Sequence, residues 1–387
     1  MMRFFIDFAS GSLNKFNEEL CGDKVAFYND NDKFIAVLSD GLGSGVKANI
    51  LATLTAQIAI TMLKEGLPIE EVIDTIIHTL PVCAVRKVAY STFTIVKVDK
   101  TGMAYIAEFE NPSVFFLRKN RIDILEWTTK EINNRTIKES KFKLREKDIL
   151  VFVSDGVIHA GVGCVLNLGW GWKDVAKHLE RTMRENLSAK IITNNLLGAC
   201  ELLYMGMPGD DTTVATIKAV RQQNAILFSG PPIDKKKDKE IVEKMLATSG
   251  KKIVCGGTAG NIVARELNKR IRTSFNIIDR DIPPIGYIEG IDLVTEGVLT
   301  IRKAAEKLSW IKSSNDLSFI YENDGASQLA RMLFEDCTHI KIIIGRAINP
   351  AHQNPDFPGE LSIKLYVLNS LKNALVELGK IVEVEYY

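Results

Sequence analysis

The sequence has no Cys-x-x-Cys pair and no His-x-x-x-His spacing. Its six cysteines (Cys21, Cys83, Cys164, Cys200, Cys255 and Cys337) are scattered over 387 residues, and its histidines number 5. That pattern gives little basis for a zinc or redox centre. Scattered thiols are instead expected to be small buried hydrophobes in a chain that works in the reducing cytoplasm. Charge of one sign is missing too: 49 Lys and Arg face 48 Asp and Glu, a net charge of +1. No basic excess therefore marks a nucleic-acid partner. The apolar part of the N-terminal MMRFFIDFASGSLNK is too short for a secretory core, and the longest uncharged stretch, Ala48–Leu63, is interrupted by Thr, Asn and Gln. No membrane association is expected from either. GxGxxG and GxxxxGK[ST] are also absent, which removes the usual dinucleotide and phosphate-loop signatures.

What is present is an average soluble composition, 46% hydrophobic and 25% charged, in a chain longer than one core usually fills. Two domains are expected, residues 1–220 and 225–387, because the pattern changes near Val220–Ala225. In the first, KFIAVLS and ILVFVS are hydrophobic throughout, as befits central strands covered on both faces. Tyr90–Asp99, Met103–Glu110 and Ser113–Asn120 are strand-like runs joined by short turns, which predicts antiparallel pairing. Ile50, Leu51, Leu54, Ile58 and Met62 recur at helical spacing behind Ser44, and Ile69 to Leu80 carries a second apolar stripe behind Pro68,. The reading is two face-to-face antiparallel sheets with helices outside them. Beyond Ala225, strands alternate with helices, which predicts βαβ units and a mainly parallel sheet.

Acidic residues recur beside turns in the first domain: CGD at Asp23, SDG at Asp40–Gly41, SDG at Asp155–Gly156, and GDD at Asp210–Asp211. Any one Asp-Gly is an ordinary turn. Two of these, however, follow buried strands and a third precedes one. Clustered carboxylates without histidine or cysteine beside them repel one another unless cations sit between them. Hard ions, Mg²⁺ or Mn²⁺, suit such oxygens, and a glycine after the aspartate leaves a carbonyl accessible.

The ordered set CGD, SDGLGSG, VSDGVI and GDDTTV resembles the metal-dependent PPM/PP2C serine/threonine phosphatases, in particular their bacterial SpoIIE-like branch, over about Phe4–Val220. The resemblance implies an α-β-β-α sandwich and a two-metal hydrolysis in which water attacks phosphorus directly. It implies that Asp40 bridges two Mn²⁺ or Mg²⁺ ions. Asp23 and the Gly41 carbonyl complete one side, Asp155 and Asp210 the other, and Asp211 takes the position after the last ligand. Leu42 stands where eukaryotic members carry a histidine. Ser39 and Ser154 read as hydrogen-bonding strand ends rather than nucleophiles, and His159 as structural. Relatives act on phosphorylated regulators of the anti-sigma-antagonist type, so a small phosphoprotein is the implied partner.

In the second domain, KKIVCGGTAGNIVAREL joins a strand to a helix through Gly256, Gly257 and Thr258. Such a turn exposes backbone N–H groups and is a candidate anion site for a small-molecule ligand. It reads equally as a tight turn with Thr258 as helix cap. The expected function is a phosphoprotein phosphatase with a C-terminal regulatory or ligand-sensing domain. The alternative is a catalytically silent signalling scaffold whose C-terminal domain binds a nucleotide or metabolite.

Overall fold

The computed structural model describes residues 4–30, 32–79, 91–133, 135–184, 187–273, 286–314, 316–347 and 360–387. Cys83, Leu80 and Tyr90 lie outside these residues. The chain divides into two compact units, Met1–Arg221 and Gln222–Tyr387.

The N-terminal unit runs β1 (Phe4–Leu13), β2 (Asp23–Asn29), β3 (Lys33–Gly41), α1 (Gly45–Lys64), α2 (Ile69–Thr79), β4 (Ser91–Asp99), β5 (Met103–Phe109), β6 (Phe115–Arg118), β7 (Arg121–Asp123), β8 (Thr128–Ile132), β9 (Arg135–Lys143), β10 (Ile149–Val153), α3 (Asp155–Ile158), α4 (Trp172–Thr182), α5 (Ala189–Leu203) and β11 (Thr212–Arg221). One sheet has the order β2-β3-β4-β5-β9-β8, the other β1-β11-β10-β6-β7, and pairing within both is antiparallel. Strand periodicity of two divides each hydrophobic run between two cores. Phe34, Ala36 and Leu38 of β3 meet Leu150, Phe152, Ala215 and Ile217 of the opposite sheet. Ile35 and Val37 turn the other way, onto Ala56, Ala59 and Val72 of α1 and α2. Val151 and Val153 likewise turn outward, onto Leu179, Leu196 and Leu197 of α4 and α5. The result is the expected α-β-β-α sandwich. Full burial of each such Val, Leu or Phe contributes roughly 1.5–3 kcal/mol, and three stacked layers of them hold the strand ends rigid.

Two local expectations are corrected. The turn after β5 is short, yet it does not make a hairpin: β5 and β6 lie in different sheets. The buried Glu108 carboxyl braces the crossing, accepting from the Val114 amide at 2.7 Å and the Ser113 hydroxyl at 3.2 Å. In α1 the buried stripe is Ala48, Ala52, Ala56 and Ala59, while Ile50 and Leu54, expected inside, are exposed together with Val46. Small residues win that face because the helix backbone approaches β3 closely: a side chain on Gly41 would overlap the Ala48 carbonyl. By length and composition alone α1 could also cross a membrane, despite its Thr, Asn and Gln. Its alanine face instead packs on the sheet.

The C-terminal unit runs β12 (Asn224–Ser229), α6 (Lys237–Ala247), β13 (Gly250–Cys255), α7 (Gly257–Leu267), β14 (Arg272–Thr273), β15 (Gly286–Tyr287), β16 (Leu293–Thr295), α8 (Val298–Ser313), α9 (Gly325–Glu335), β17 (His339–Ile344), α10 (Glu360–Glu377) and β18 (Ile381–Tyr386). Its sheet has the order β14-β15-β16-β13-β12-β17-β18. Pairing is parallel from β16 to β18 and antiparallel only at β14 and β15. Ile226, Phe228 and Val254 pack against α6 and α7.

Candidate active site

The inner face of each sheet in the N-terminal unit ends in acid. Periodicity carries Asp40 onto the face that bears Ala36 and Leu38, and Asp23 is its direct partner in the β2–β3 register, so both point between the sheets. From the opposite sheet come Asp155, first residue of α3, and Asp210 and Asp211, which lead into β11. Asp40 lies within the field of Asp23, Asp155, Asp210 and Asp211. All five aspartates singled out by sequence therefore gather at one end of the sandwich.

Their electrostatics are unfavourable as they stand. Burial, reinforced by Asp23, Asp155, Asp210 and Asp211, raises Asp40 well above the ordinary carboxylate range. Asp23 is raised as well, by burial first, although the Thr213 and Ser154 hydroxyls favour its ionised form. Asp210 moves in the same direction through burial and Asp155. Asp23 is 5% exposed, and its Oδ2 is buried without a hydrogen-bond partner. An orphaned, buried carboxylate oxygen among other acids fits a divalent cation. Among the described residues no three His, Cys, Asp or Glu side chains close into a ready ligand cage.

The glycines have a steric reason that the sequence reading missed. A side chain on Gly41 would come within 2.9 Å of the Ala48 Cα, and one on Gly156 within 2.7 Å of the Thr212 Oγ1. A side chain on Gly22 would meet Asp211 Oδ2 at 2.8 Å. Asp23, Asp40 and Asp155 thus each sit beside a glycine that lets a second segment of the chain close in.

Asp211 has work of its own. Its Oδ1 accepts from the Lys15 amide at 3.0 Å and its Oδ2 from the Gly22 amide at 2.8 Å. It ties the loop that carries Asp23 to the opposite sheet. The same loop is held from α1, where Asn49 donates to the Cys21 carbonyl at 2.8 Å and Ser44 to Glu18 at 3.0 Å. Asn49, Glu18 and Lys15 were not legible in sequence, because their partners are distant along the chain.

Ser154 Oγ accepts from the Thr213 amide at 2.8 Å, and Ser39 Oγ donates to the Thr92 carbonyl at 3.1 Å. Both behave as strand-end hydrogen-bonders. Burial and the acids Asp23 and Asp211 push the Cys21 thiol up to about 12, which disfavours the thiolate that a nucleophile needs. His159 is exposed at the end of α3.

In the C-terminal unit, Gly256 is the N-cap of α7 with φ 118°, and Gly257 begins the helix. Thr258 is therefore not the cap. The turn sits at the carboxyl end of β13, and the Gly256 amide donates to the Thr295 carbonyl at 2.9 Å.

A two-sheet sandwich with outer helices and carboxylates gathered at one end is the arrangement of PP2C-type serine/threonine phosphatase domains. Residues 30–220 match the family model described as Stage II sporulation protein E (SpoIIE), and the N-terminal unit belongs to that family. No curated protein matches. Similar solved structures include the phosphatase domain of the cell fate determinant SpoIIE from Bacillus subtilis, with TM-score 0.44 and 17% identity over 57% of this chain and 95% of that one. The SiaA PP2C domain of Pseudomonas aeruginosa aligns with TM-score 0.45 and 15% identity, over 54% and 85% of the two chains. RsbX in complex with magnesium aligns with TM-score 0.42 and 15% identity, over 57% and 100%.

Proposed function

We propose that the N-terminal unit removes phosphate from phosphoserine or phosphothreonine in a regulatory protein of the anti-sigma-antagonist type, under the control of a ligand bound to the C-terminal unit. The observation that carries the catalytic part is the Asp23–Asp40 pair: a buried and a half-buried acid held face to face across neighbouring strands, the first with an orphaned oxygen. Among the described residues no cationic side chain pairs with either, and a bound divalent cation would offset the penalty on their charged forms,.

Asp23, Asp40 and the Gly41 carbonyl would hold one Mn²⁺ or Mg²⁺ ion, and Asp40, Asp155 and Asp210 a second. Bound there, such ions activate water and neutralise charge on phosphoryl oxygens. The chain's own residues supply position. Asp40 would contribute to both ion sites, and it lies in the field of the acids from each sheet. Asp211 fixes the Asp23 loop through two backbone amides. Ser154 and Thr213 steady Asp23 from the opposite sheet. The described cysteines Cys21, Cys164, Cys200, Cys255 and Cys337 are free thiols, which supports a cytoplasmic location.

The test is Mn²⁺-dependent release of phosphate from a phosphoserine protein and from p-nitrophenyl phosphate, by the wild-type chain and by Asp40→Asn. Activity that needs the metal and disappears in the variant is expected. A wild-type chain inert on both substrates with Mn²⁺ and with Mg²⁺ would sink the catalytic reading.

A further inference from the structure

The carboxyl edge of the C-terminal sheet holds a second unmet charge, of the opposite sign. The chain builds β13 and β16 on one side of β12 and later places β17 and β18 on the other. The crevice beyond the ends of β12 and β17 is thus the topological switch point, where open α/β sheets take their ligands. Gly230 follows β12 and Gly345 follows β17. A side chain on Gly345 would overlap the carbonyls of Gly230 and Pro231, and one on Gly230 would overlap the Lys364 Nζ. Lys364, near the start of α10, reaches into this corner and donates to the Gly345 carbonyl.

That single bond leaves two N–H groups of the ammonium, and among the described residues no carboxylate pairs with it. Burial without an acid lowers the ammonium to about 8. A second observation points to the same edge. Thr300, third residue of α8, is 1% exposed, and its Oγ1 has no partner. Helix α8 packs along α10 and starts just past the end of β16. The tilt of helical Cα–Cβ bonds toward the N-terminus turns the Thr300 hydroxyl toward the strand ends. Glycines cap α7 and α8 without side-chain bonds, so first-turn amides also face this edge.

We propose that the crevice beyond β12 and β17 binds the phosphoryl group of a small molecule, with Lys364 and Thr300 contacting its oxygens and Gly230 letting the lysine close onto the strand ends. Donors arriving from several directions suit a tetrahedral phosphoryl group better than a planar carboxylate. The inference rests on the ligand-sensing reading of this unit and names the chemistry it senses.

Calorimetric titration of the full chain in EDTA tests it, because the acidic site of the N-terminal unit then has no ion with which to hold phosphate. Inorganic phosphate, AMP and ATP are the probes. Saturable binding is expected, weakened about tenfold or more in Lys364→Met, as for loss of a charged hydrogen bond. Thr300→Val should weaken it several-fold while leaving the circular dichroism spectrum unchanged. Equal affinity for all three probes identifies a site for phosphate itself, and tighter binding of AMP or ATP a nucleotide site. If none of the three binds up to millimolar concentration, or if binding survives unchanged in Lys364→Met and Thr300→Val, the proposal is overturned. Should Lys364→Met fail to fold, Lys364→Arg and Thr300→Val carry the comparison. The sensing reading fails separately, if the bound probe leaves metal-dependent hydrolysis of a phosphoprotein unchanged.

Discussion

The two units each withdraw charge from water and leave it unmatched, but with opposite sign. In the N-terminal unit, antiparallel strands from two sheets converge on aspartates that no cationic side chain among the described residues pairs with. In the C-terminal unit, parallel strands end at glycines around a lysine that lacks an anion. The difference in topology decides the difference in chemistry. Antiparallel sheets stacked face to face bring side chains from both inner faces to one end. A parallel sheet instead collects backbone amides and helix N-termini along its carboxyl edge. Both arrangements cost stability in the empty protein, and the sign of the unmatched charge indicates the ligand that would relieve it.

The largest effect that would test this comparison is catalytic. Asp40→Asn keeps the shape of the site and removes the charge shared by both proposed ion sites. Since bound ions contribute several kcal/mol of transition-state stabilisation, hydrolysis should fall by roughly 10³-fold or more. The same substitution should raise the melting temperature of the metal-free protein, because it removes a carboxyl whose ionised form the site penalises,. A variant both inactive and less stable in EDTA would break the argument that charge, rather than packing, is what Asp40 costs the fold.

Next in size is the pH response of the metal-free chain. Asp23 and Asp40 have folded-state values raised above the ordinary carboxylate range, by burial first. Between the ordinary and the raised values the folded state holds more protons than the unfolded state, so stability falls as pH rises. The contribution is fully present below the unfolded value and is lost as pH climbs through the raised ones. Glu108, raised to about 7 by burial, acts in the same direction. His178, lowered by burial, acts in the opposite one, since its folded neutral form is lost to protonation more readily when unfolded. The difference in melting temperature between wild type and Asp40→Asn isolates the site from these two. That difference should widen from pH 5 to pH 8 in EDTA and shrink when Mn²⁺ is added. A gap that is constant with pH would contradict the raised Asp40.

The acids were legible in sequence because each lies at the end of a wholly apolar run or beside a glycine turn. KFIAVLS and ILVFVS are buried on both faces for the same reason that they lack alternation. What sequence could not supply were partners distant along the chain. Asp211 reads as one more candidate ligand until its bonds to Lys15 and Gly22, 196 and 189 residues away, are seen. Hydropathy also misled at α1, where alanines take the buried face and Ile50 and Leu54 do not. Lys364 gave no local signal at all, since a lysine in a helix is ordinary until the two glycines are folded against it.

Steric closure comes third. Gly156→Ala would push against Thr212 Oγ1 and the Asp211 backbone, separating Asp155 from Asp210. Overpacking of this kind costs about 1–3 kcal/mol, and chemical denaturation should record that loss together with lower activity. Unchanged stability would mean that the α3–β11 junction is softer than its packing implies.

The smallest expected effect concerns the lysine. Lys364→Met in the ligand-free chain removes a partly buried charge but also leaves the Gly345 carbonyl without its donor. The two changes oppose each other. Relief of desolvation is modest because the side chain keeps some contact with water, and an abandoned buried carbonyl costs about 1–3 kcal/mol unless solvent reaches it. The net change in unfolding free energy should therefore stay within about 1 kcal/mol, far below the gain expected for Asp40→Asn. A large loss of stability would assign Lys364 to holding the β12–β17 corner together. A near-neutral result, beside a clear gain at Asp40, would confine the strong electrostatic penalty to the end of the molecule where several like charges meet.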